Sequence, residues 1–509
     1  MPDNLIMKFN GIRTGIRSQV RARLRVIARL LQLSLACSAG LFLSACPGSN
    51  ENARTTGAPG PTVQIVETTG DQSMLLQTQP TVSFASGGSP SNLVITVDGS
   101  KQYQQMDGVG GSLTDSSAWL IWNKLGTSQQ TTLMQQLFSP SSGIGISFLR
   151  QPMGASDFSA SGNYSYDDVP SGQTDVNLAN FSVAHDTPYI IPLIKQAISI
   201  NPNLKVVALP WSPPAWMKAS GTMSGGNMNT AYFPSLAQYF VDYVQAYQQQ
   251  GVPTYALSVQ NEPLYSTTGY PSESLAATDE STFIANNLGP ALSAAGLGSV
   301  KIFGYEHNWD NTAYPETVLG SSAAQYVAGT SFHCYAGDPS AQSTVETAFP
   351  TYDIWFTECS GITSSTFSGD LIWNAEHLLI GATRNWARSV SLWNLALDQN
   401  SGPKNGTCTN CRGVVTIDDS VSPASVSMNV EYYILGHLGK FVVPGAHRID
   451  SNTFGAGSIE DVAFQNPDGS TVLLVLNSAS NSGTFTVSFQ GQTFDYTLPG
   501  GAVATFSWK

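Results

Sequence analysis

The stretch TYALSVQNEPLY, residues 254–265, sets an apolar run against a carboxylate. TYALS reads as a short buried strand, and Glu262 sits just beyond it, between Asn261 and Pro263. A buried charge is costly unless it is paired or used, so Glu262 calls for a partner elsewhere in the chain. Alone the Asn-Glu-Pro tripeptide is weak evidence: at roughly 5 % usage per residue it arises by chance in about one chain in twenty of this size.

The same texture recurs on both sides. QMDGVGG (105–111), GIGISFLR (143–150), LKVVALP (204–210), VKIFGYE (300–306), YVAGTSFH (326–333), YDIWFTE (352–358) and SVSLWNL (389–395) are short apolar runs, several of them separated by helix-length segments. The clearest helices are FPSLAQYFVDYVQAYQQQ (233–250), with an apolar stripe and a stop at Gly251, and SGDLIWNAEHLLIGATRNWA (368–387). Eight buried strands with crossovers over about 300 residues leave a parallel barrel or an open doubly wound sheet. No Gly-rich phosphate fingerprint follows the first strand, which favours an α/β chain with a (β/α)8 TIM barrel over 105–430. Short alternating runs at 63–104 and again over 431–509 predict a side β-sandwich built from the N- and C-terminal strands.

Only 11 % of the residues are charged, against a usual share of about 25 %. Ser, Thr, Asn, Gln and Gly must cover the surface, as suits an exported protein. Residues 1–45 carry Lys8 and six arginines against Asp3, a net +6, so the rest of a chain of net charge −13 carries −19. That balance excludes a nucleic-acid partner. The basic start and the run LLQLSLACSAGLFLSA read as a signal peptide over 1–45 rather than a membrane span, which the run is too short and too interrupted to make. LSAC (43–46) resembles the bacterial lipobox, which implies lipidation of Cys46 and an anchor in the bacterial envelope; plain secretion is the alternative. Residues 46–62 read as a flexible tether. Cys408 and Cys411 fit a local disulfide, since a zinc site would need two more ligands. Cys334 and Cys359 are expected to remain thiols.

Active sites of such barrels form at the C-terminal ends of the strands. Those ends carry Arg150, PWSPPAWMK (210–218), Asn261-Glu262, FHCY (332–335), FTEC (356–359) and LWNLALD (392–398). Glu262 would end strand four and Glu358 strand seven, both facing the barrel mouth among Trp211, Trp216, Tyr270, Tyr335 and Trp393. Two carboxylates among aromatic rings suit glycoside hydrolysis: one donates a proton to the leaving oxygen, the other traps the oxocarbenium-like carbon, and the rings stack on the sugar's C–H face. Such an acid must hold its proton near neutral pH, so burial and the second carboxylate should raise the pKa of whichever glutamate serves. The histidines show no ligand spacing, so neither metal nor cofactor is expected. Each residue also has a plainer reading: Arg150 as a bridge across the barrel rim, His333 as a core histidine, Asp157 as a turn cap. Trp216 reads as packing.

Over about 105–450 the chain resembles glycoside hydrolase family 30, the family of lysosomal glucosylceramidase and of β-1,6-glucanases. DGVGGSLTDSSAW, RQPMGASDFS, PWSPPAWMK, NEPLY with GYP, ECSG, WNLALD and GKFVVPGAHRI carry the resemblance in one order. It implies a retaining mechanism with Glu262 as general acid/base, hence the carboxyl of raised pKa, and Glu358 as nucleophile. Asn261 would hold the sugar 2-hydroxyl, and Asp157 with Trp211 the far hydroxyls of a terminal glucose. Arg150 would fix a catalytic carboxylate, and Tyr270, His333 and Trp393 would line the same subsite. Cys334 departs from the aromatic that commonly follows the active-site His in the glucosylceramidase branch. The leading expectation is a glucosylceramidase-like β-glucosidase, with an endo-β-1,6-glucanase as alternative and a non-catalytic glycan-binding surface lipoprotein as the reading from another class.

Overall fold

Eight parallel strands close into a ring in the computed structural model, which describes residues 60–87, 90–91 and 93–509. They are β1 (Gly108–Ser112), β2 (Phe148–Pro152), β3 (Lys205–Leu209), β4 (Ala256–Ser258), β5 (Lys301–Asn308), β6 (Val327–His333), β7 (Asp353–Glu358) and β8 (Ala387–Leu392). Each pairs with the next, and β8 returns to β1. All eight coincide with the runs singled out from the sequence. Helix Phe233–Gln249 stands where its stripe predicts, and Phe367–Asn374 runs on through a wider turn to Ala382. The expected signal segment, Cys46 and nearly all of the tether lie outside the described residues.

The barrel is filled, not hollow. Phe148, Val207, Ala256, Phe303 and Trp355 form one buried layer, with Phe303 and Trp355 stacked at 3.8 Å. Below it Asp107 accepts from Trp355 Nε1 at 2.7 Å and from Lys205 Nζ at 2.5 Å, closing the bottom with a paired charge. Strand β1 is glycine-rich because β2 comes so close: a Cβ at Gly110 would meet the Phe148 carbonyl oxygen at 1.8 Å. The polar groups above the apolar layer therefore face the barrel mouth.

The side domain is one nine-stranded sheet. Its strands follow the order Gln77–Ser83, Thr62–Thr68, Val503–Trp508, Thr471–Asn477, Ile459–Gln465, His447–Ser451, Val94–Gln105, Gly483–Phe489 and Gln492–Leu498. Chain start and chain end interleave, with Thr62–Thr68 antiparallel to Val503–Trp508. An Ala85–Thr493 bridge links the two outer ends, so the sheet curls around its own core of Ile65, Phe84, Val475, Phe485 and Phe506. Helix Val430–Gly439 joins the two bodies. Its buried His437 places Nε2 2.8 Å from Thr68 Oγ1 and Nδ1 3.0 Å from Thr505 Oγ1, on strands from opposite ends of the chain.

Cys408 and Cys411 are bonded, as their spacing suggests. Cys334 and Cys359 are bonded too, against the expectation of thiols. They lie 25 residues apart in sequence, but each is the first residue past a strand, and β6 and β7 are neighbours, so their Cα atoms come within 5.3 Å. Closing a loop of that length stabilises the fold by about 3 kcal/mol.

Burial drives the His437 pKa down from 6.5 to about 3. Its contribution to stability is therefore complete above about pH 6.5 and is lost as pH falls towards 3, because the unfolded chain takes up the proton the folded one refuses. We expect chemical denaturation to show the wild type losing on the order of 3 kcal/mol more than His437→Gln between pH 7 and pH 4; equal losses would show that His437 is not the acid-sensitive joint.

Candidate active site

Arg150, in the middle of β2, is fully buried. Its Nε donates to Glu306 Oε1 at 2.9 Å, Nη1 to Glu358 Oε2 at 2.5 Å and Nη2 to Asn261 Oδ1 at 2.6 Å. The guanidinium lies 4.8 Å from the Trp211 ring and 5.4 Å from the Trp393 ring, and these two rings stack at 4.8 Å. A buried cation is tolerable only when its charge is matched and its donors are used. Here two carboxylates, an amide oxygen and two π faces do that.

Glu262 stands in a strained turn. It is left-handed, at φ 46°, although a residue before proline is normally extended. The turn is held by Glu262 N–H donating to the Glu306 carbonyl at 3.0 Å and Tyr265 N–H to the Glu262 carbonyl at 2.8 Å. Strain of this kind, paid for by surrounding bonds, concentrates at functional sites. The turn swings the carboxylate over the barrel. One oxygen of Glu262, one of Glu358 and a ring nitrogen of His333 all lie within 4.8 Å of one another.

Glu306 was not anticipated from the sequence. Phe303 faces the barrel interior, so alternation would send Glu306 outward. Instead the β5–β6 register slips between Tyr305 and His307, with Tyr305 and Glu306 both at positive φ, and this bulge turns the carboxylate inward. Ser258 Oγ donates to it at 3.1 Å, and Ser331 Oγ also donates. Burial pushes Glu306 upward, but Arg150, His333 and Ser331 outweigh it and hold its pKa at about 2. Its ending of the run VKIFGYE was the only available signal.

His333 is fully buried between acids, with Nδ1 3.2 Å from Glu262 Oε1 and Nε2 3.5 Å from Glu306 Oε1. Burial opposes its charge, yet Glu358 and the hydrogen bonds with Glu262 and Glu306 prevail and lift its pKa to about 9. Its imidazolium in turn corrects the expectation for Glu262. Burial does push that carboxyl up and is the largest single influence. The bond and charge of His333, followed by His307 and Arg150, outweigh it and leave the pKa below its ordinary value.

Above these groups opens a cavity of about 300 Å³, lined in part by Asp157, Trp211, Asn261, Glu262, Tyr270, Glu358 and Trp393. Arg150 and His333 lie beneath it, so all nine residues anticipated for the site converge on one place. Asp157 keeps one carboxylate oxygen without a partner among the described residues. Burial, then the charges of Glu358 and Glu262, push its pKa well up. Its backbone carbonyl is clamped by N–H groups of Asn405 and Gly406, from the loop that carries the Cys408–Cys411 disulfide. Tyr335, noted earlier only as a nearby ring, donates its hydroxyl to Glu358 Oε1 at 2.7 Å. Glu262, His333 and Glu358 are close enough to share a cation, but Arg150 and Tyr335 already engage the two Glu358 oxygens.

Residues 106–442 match the glycosyl hydrolase family 30 TIM-barrel domain and residues 445–506 the family 30 beta sandwich domain. The chain is 34 % identical over 455 residues to endo-1,6-beta-D-glucanase neg1 of Aspergillus fumigatus, covering 84 % of this chain and 90 % of that one. It is 31 % identical over 444 residues to lysosomal acid glucosylceramidase of Mus musculus, covering 82 % and 84 %. Among solved structures, the endo-beta1,6-glucanase BT3312 superposes with a TM-score of 0.79 at 31 % identity, over 88 % of this chain and 99 % of that one. The barrel with its side sheet, the paired acids at its mouth and these matches over most of the chain agree, and the protein belongs to glycosyl hydrolase family 30.

Proposed function

We propose that the protein is a retaining endo-β-1,6-glucanase. The observation that carries this reading is the shape of the leaving-group side. The catalytic cavity is edged by Tyr265, Tyr270, Tyr335, Asn308 and Ser360. The turn that supplies Glu262 and Tyr265 to it also supplies Pro263 and Leu264 to a second hollow of about 300 Å³, lined by Asn227, Thr230, Ser274 and Asp279 among others. Rings with amides, hydroxyls and a carboxylate suit further hexose units. A ceramide needs a continuous apolar rim, whereas in the second hollow Leu264, Pro263, Met228, Leu275 and Ala276 are interrupted by Asn227, Thr230, Ser274 and Asp279. The fungal endo-1,6-glucanases, at 33–36 % identity, support the same choice over the glucosylceramidase-like reading.

Glu358 is assigned as nucleophile and Glu262 as acid/base. Carboxyl oxygens within 4.8 Å of each other match the short separation, about 5 to 5.5 Å, of retaining enzymes. A Glu358 oxygen attacks the anomeric carbon while Glu262 gives its proton to the departing oxygen, and a glucosyl ester forms. Glu262 then takes a proton from water, whose oxygen attacks the same carbon and frees Glu358, so two inversions retain the configuration. Asn261 spends its amide oxygen on Arg150, which leaves the NH₂ for a sugar hydroxyl in the cavity it lines. Asp157 and Trp211 would take the far hydroxyls.

The disulfides fit an oxidising compartment, which supports an exported chain; lipidation of Cys46 rests on the LSAC motif alone. Mass spectrometry of the native N-terminus should find a diacylated Cys46; an unmodified residue there ends that reading. For the substrate, kcat/KM on a β-1,6-glucan should exceed that on glucosylceramide at least tenfold, with Glu358→Gln inactive on both; the reverse order would assign a glucosylceramidase. For the proton, Glu262 is held low by His333, so its acid form is lost as pH rises through that low pKa. We expect the alkaline limb of kcat/KM to fall on the acid side of neutrality. In His333→Gln only His307 and Arg150 remain to oppose burial, and the limb should move to higher pH; an unmoved limb would remove His333 from this role.

A further inference from the structure

The Cys334–Cys359 disulfide joins two chain positions that matter for the chemistry. Cys334 follows His333 and precedes Tyr335; Cys359 follows Glu358. On one side of the bond, then, stand the ring that bonds Glu262 and the hydroxyl that bonds Glu358. On the other stands Glu358 itself. Where β6 and β7 end, the ladder no longer runs in plain register: it shifts between Phe332 and His333, so that His333 pairs with Glu358. Past that point one backbone bond, Cys334 N–H to the Glu358 carbonyl at 3.2 Å, ties the two strands. The Cys359 carbonyl accepts from Trp393 N–H at 2.8 Å, which links the same point to the aromatic wall. Tyr335 is 46 % exposed, and besides this tie its aim rests on its N–H donating to Asn308 Oδ1 at 3.0 Å and its ring meeting that of His333 edge-on at 6.2 Å.

We propose that the Cys334–Cys359 disulfide is a positioning brace that sets the gap between β6 and β7, keeping Tyr335 and His333 aimed at Glu358 and Glu262. The proposal rests on the roles assigned above to the two glutamates. A hydroxyl donor held on the Glu358 oxygen that Arg150 does not bind orients that carboxylate for attack, and an error of about 1 Å there costs up to 100-fold in rate.

The test is a double-mutant cycle in the full-length enzyme between Cys334→Ala/Cys359→Ala and Tyr335→Phe. The substrate is an activated aryl β-glucoside, and active sites are counted by trapping with a 2-deoxy-2-fluoro-β-glucoside. A brace predicts that kcat per trapped site falls at least tenfold in the disulfide-less enzyme at 25 °C, with KM within threefold of wild type. It also predicts that Tyr335→Phe costs much less in that background than in wild type. A disulfide that only stabilises the fold would lower the melting temperature and the number of trapped sites, yet leave kcat per site unchanged, which overturns the proposal; additive losses would overturn it too. If the double alanine variant does not fold, dithiothreitol reduction of folded Cys408→Ser/Cys411→Ser enzyme, compared with the same variant unreduced by thiol count and kcat per site, gives the same reading. A wild type that turns over neither a β-1,6-glucan nor the aryl β-glucoside would refute the proposed function instead, and is separately visible.

Discussion

Everything at the barrel mouth is arranged around one buried cation. Removing the Arg150 guanidinium would leave Glu306 as an uncompensated charge inside the protein and let Glu358 and Asn261 drift, so the arginine is at once a structural necessity and the aligning element of the site. Its placement in β2, rather than on a loop, gives it a rigid mount directly above the layer of Phe148, Val207, Ala256, Phe303 and Trp355. The stacked Trp211 and Trp393 rings cover its face and form the wall against which a sugar can lie. Their partial negative charge favours the cation and their apolar area keeps water away from it.

Around that cation the acids divide by environment. Glu306 is fully bonded, with Arg150, His333 and two serines, and serves as a permanent counter-charge. Glu262 meets His333 through one oxygen and Glu358 meets Arg150 and Tyr335 through its two, and both carboxylates line the cavity. The irregular backbone follows the same division. The bulge at Tyr305–Glu306 and the left-handed Glu262 are both departures from regular structure, and each delivers a carboxylate where a regular strand would not. Regular strands below supply the stiffness that makes such departures sustainable.

Much of the architecture was legible in the sequence. Eight apolar runs with helical segments between several of them announce a parallel barrel, because strands buried on both faces must be apolar along their whole length. Strand-like texture at both chain ends announces a shared side sheet. Glu262 and Glu358 were legible because each closes an apolar run, and the motifs around them placed Arg150, Asn261, Trp211 and Trp393 in the same reading.

What tertiary structure decided has definite physical causes. Glu306 escaped because period-two alternation turns it outward, and only a register slip against β6 reverses that. The Cys334–Cys359 bond escaped because spacing along the chain says nothing of which strand ends are neighbours; barrel closure brings them together. The charge state of Glu262 was misjudged because burial, the influence visible in sequence, is outweighed by an imidazolium whose position depends on three strands meeting. Composition and periodicity, which are local, determined the fold and drew attention to two glutamates that close apolar runs. Distances between groups on different strands, which the sequence does not carry, decided how that pair is charged, aligned and braced.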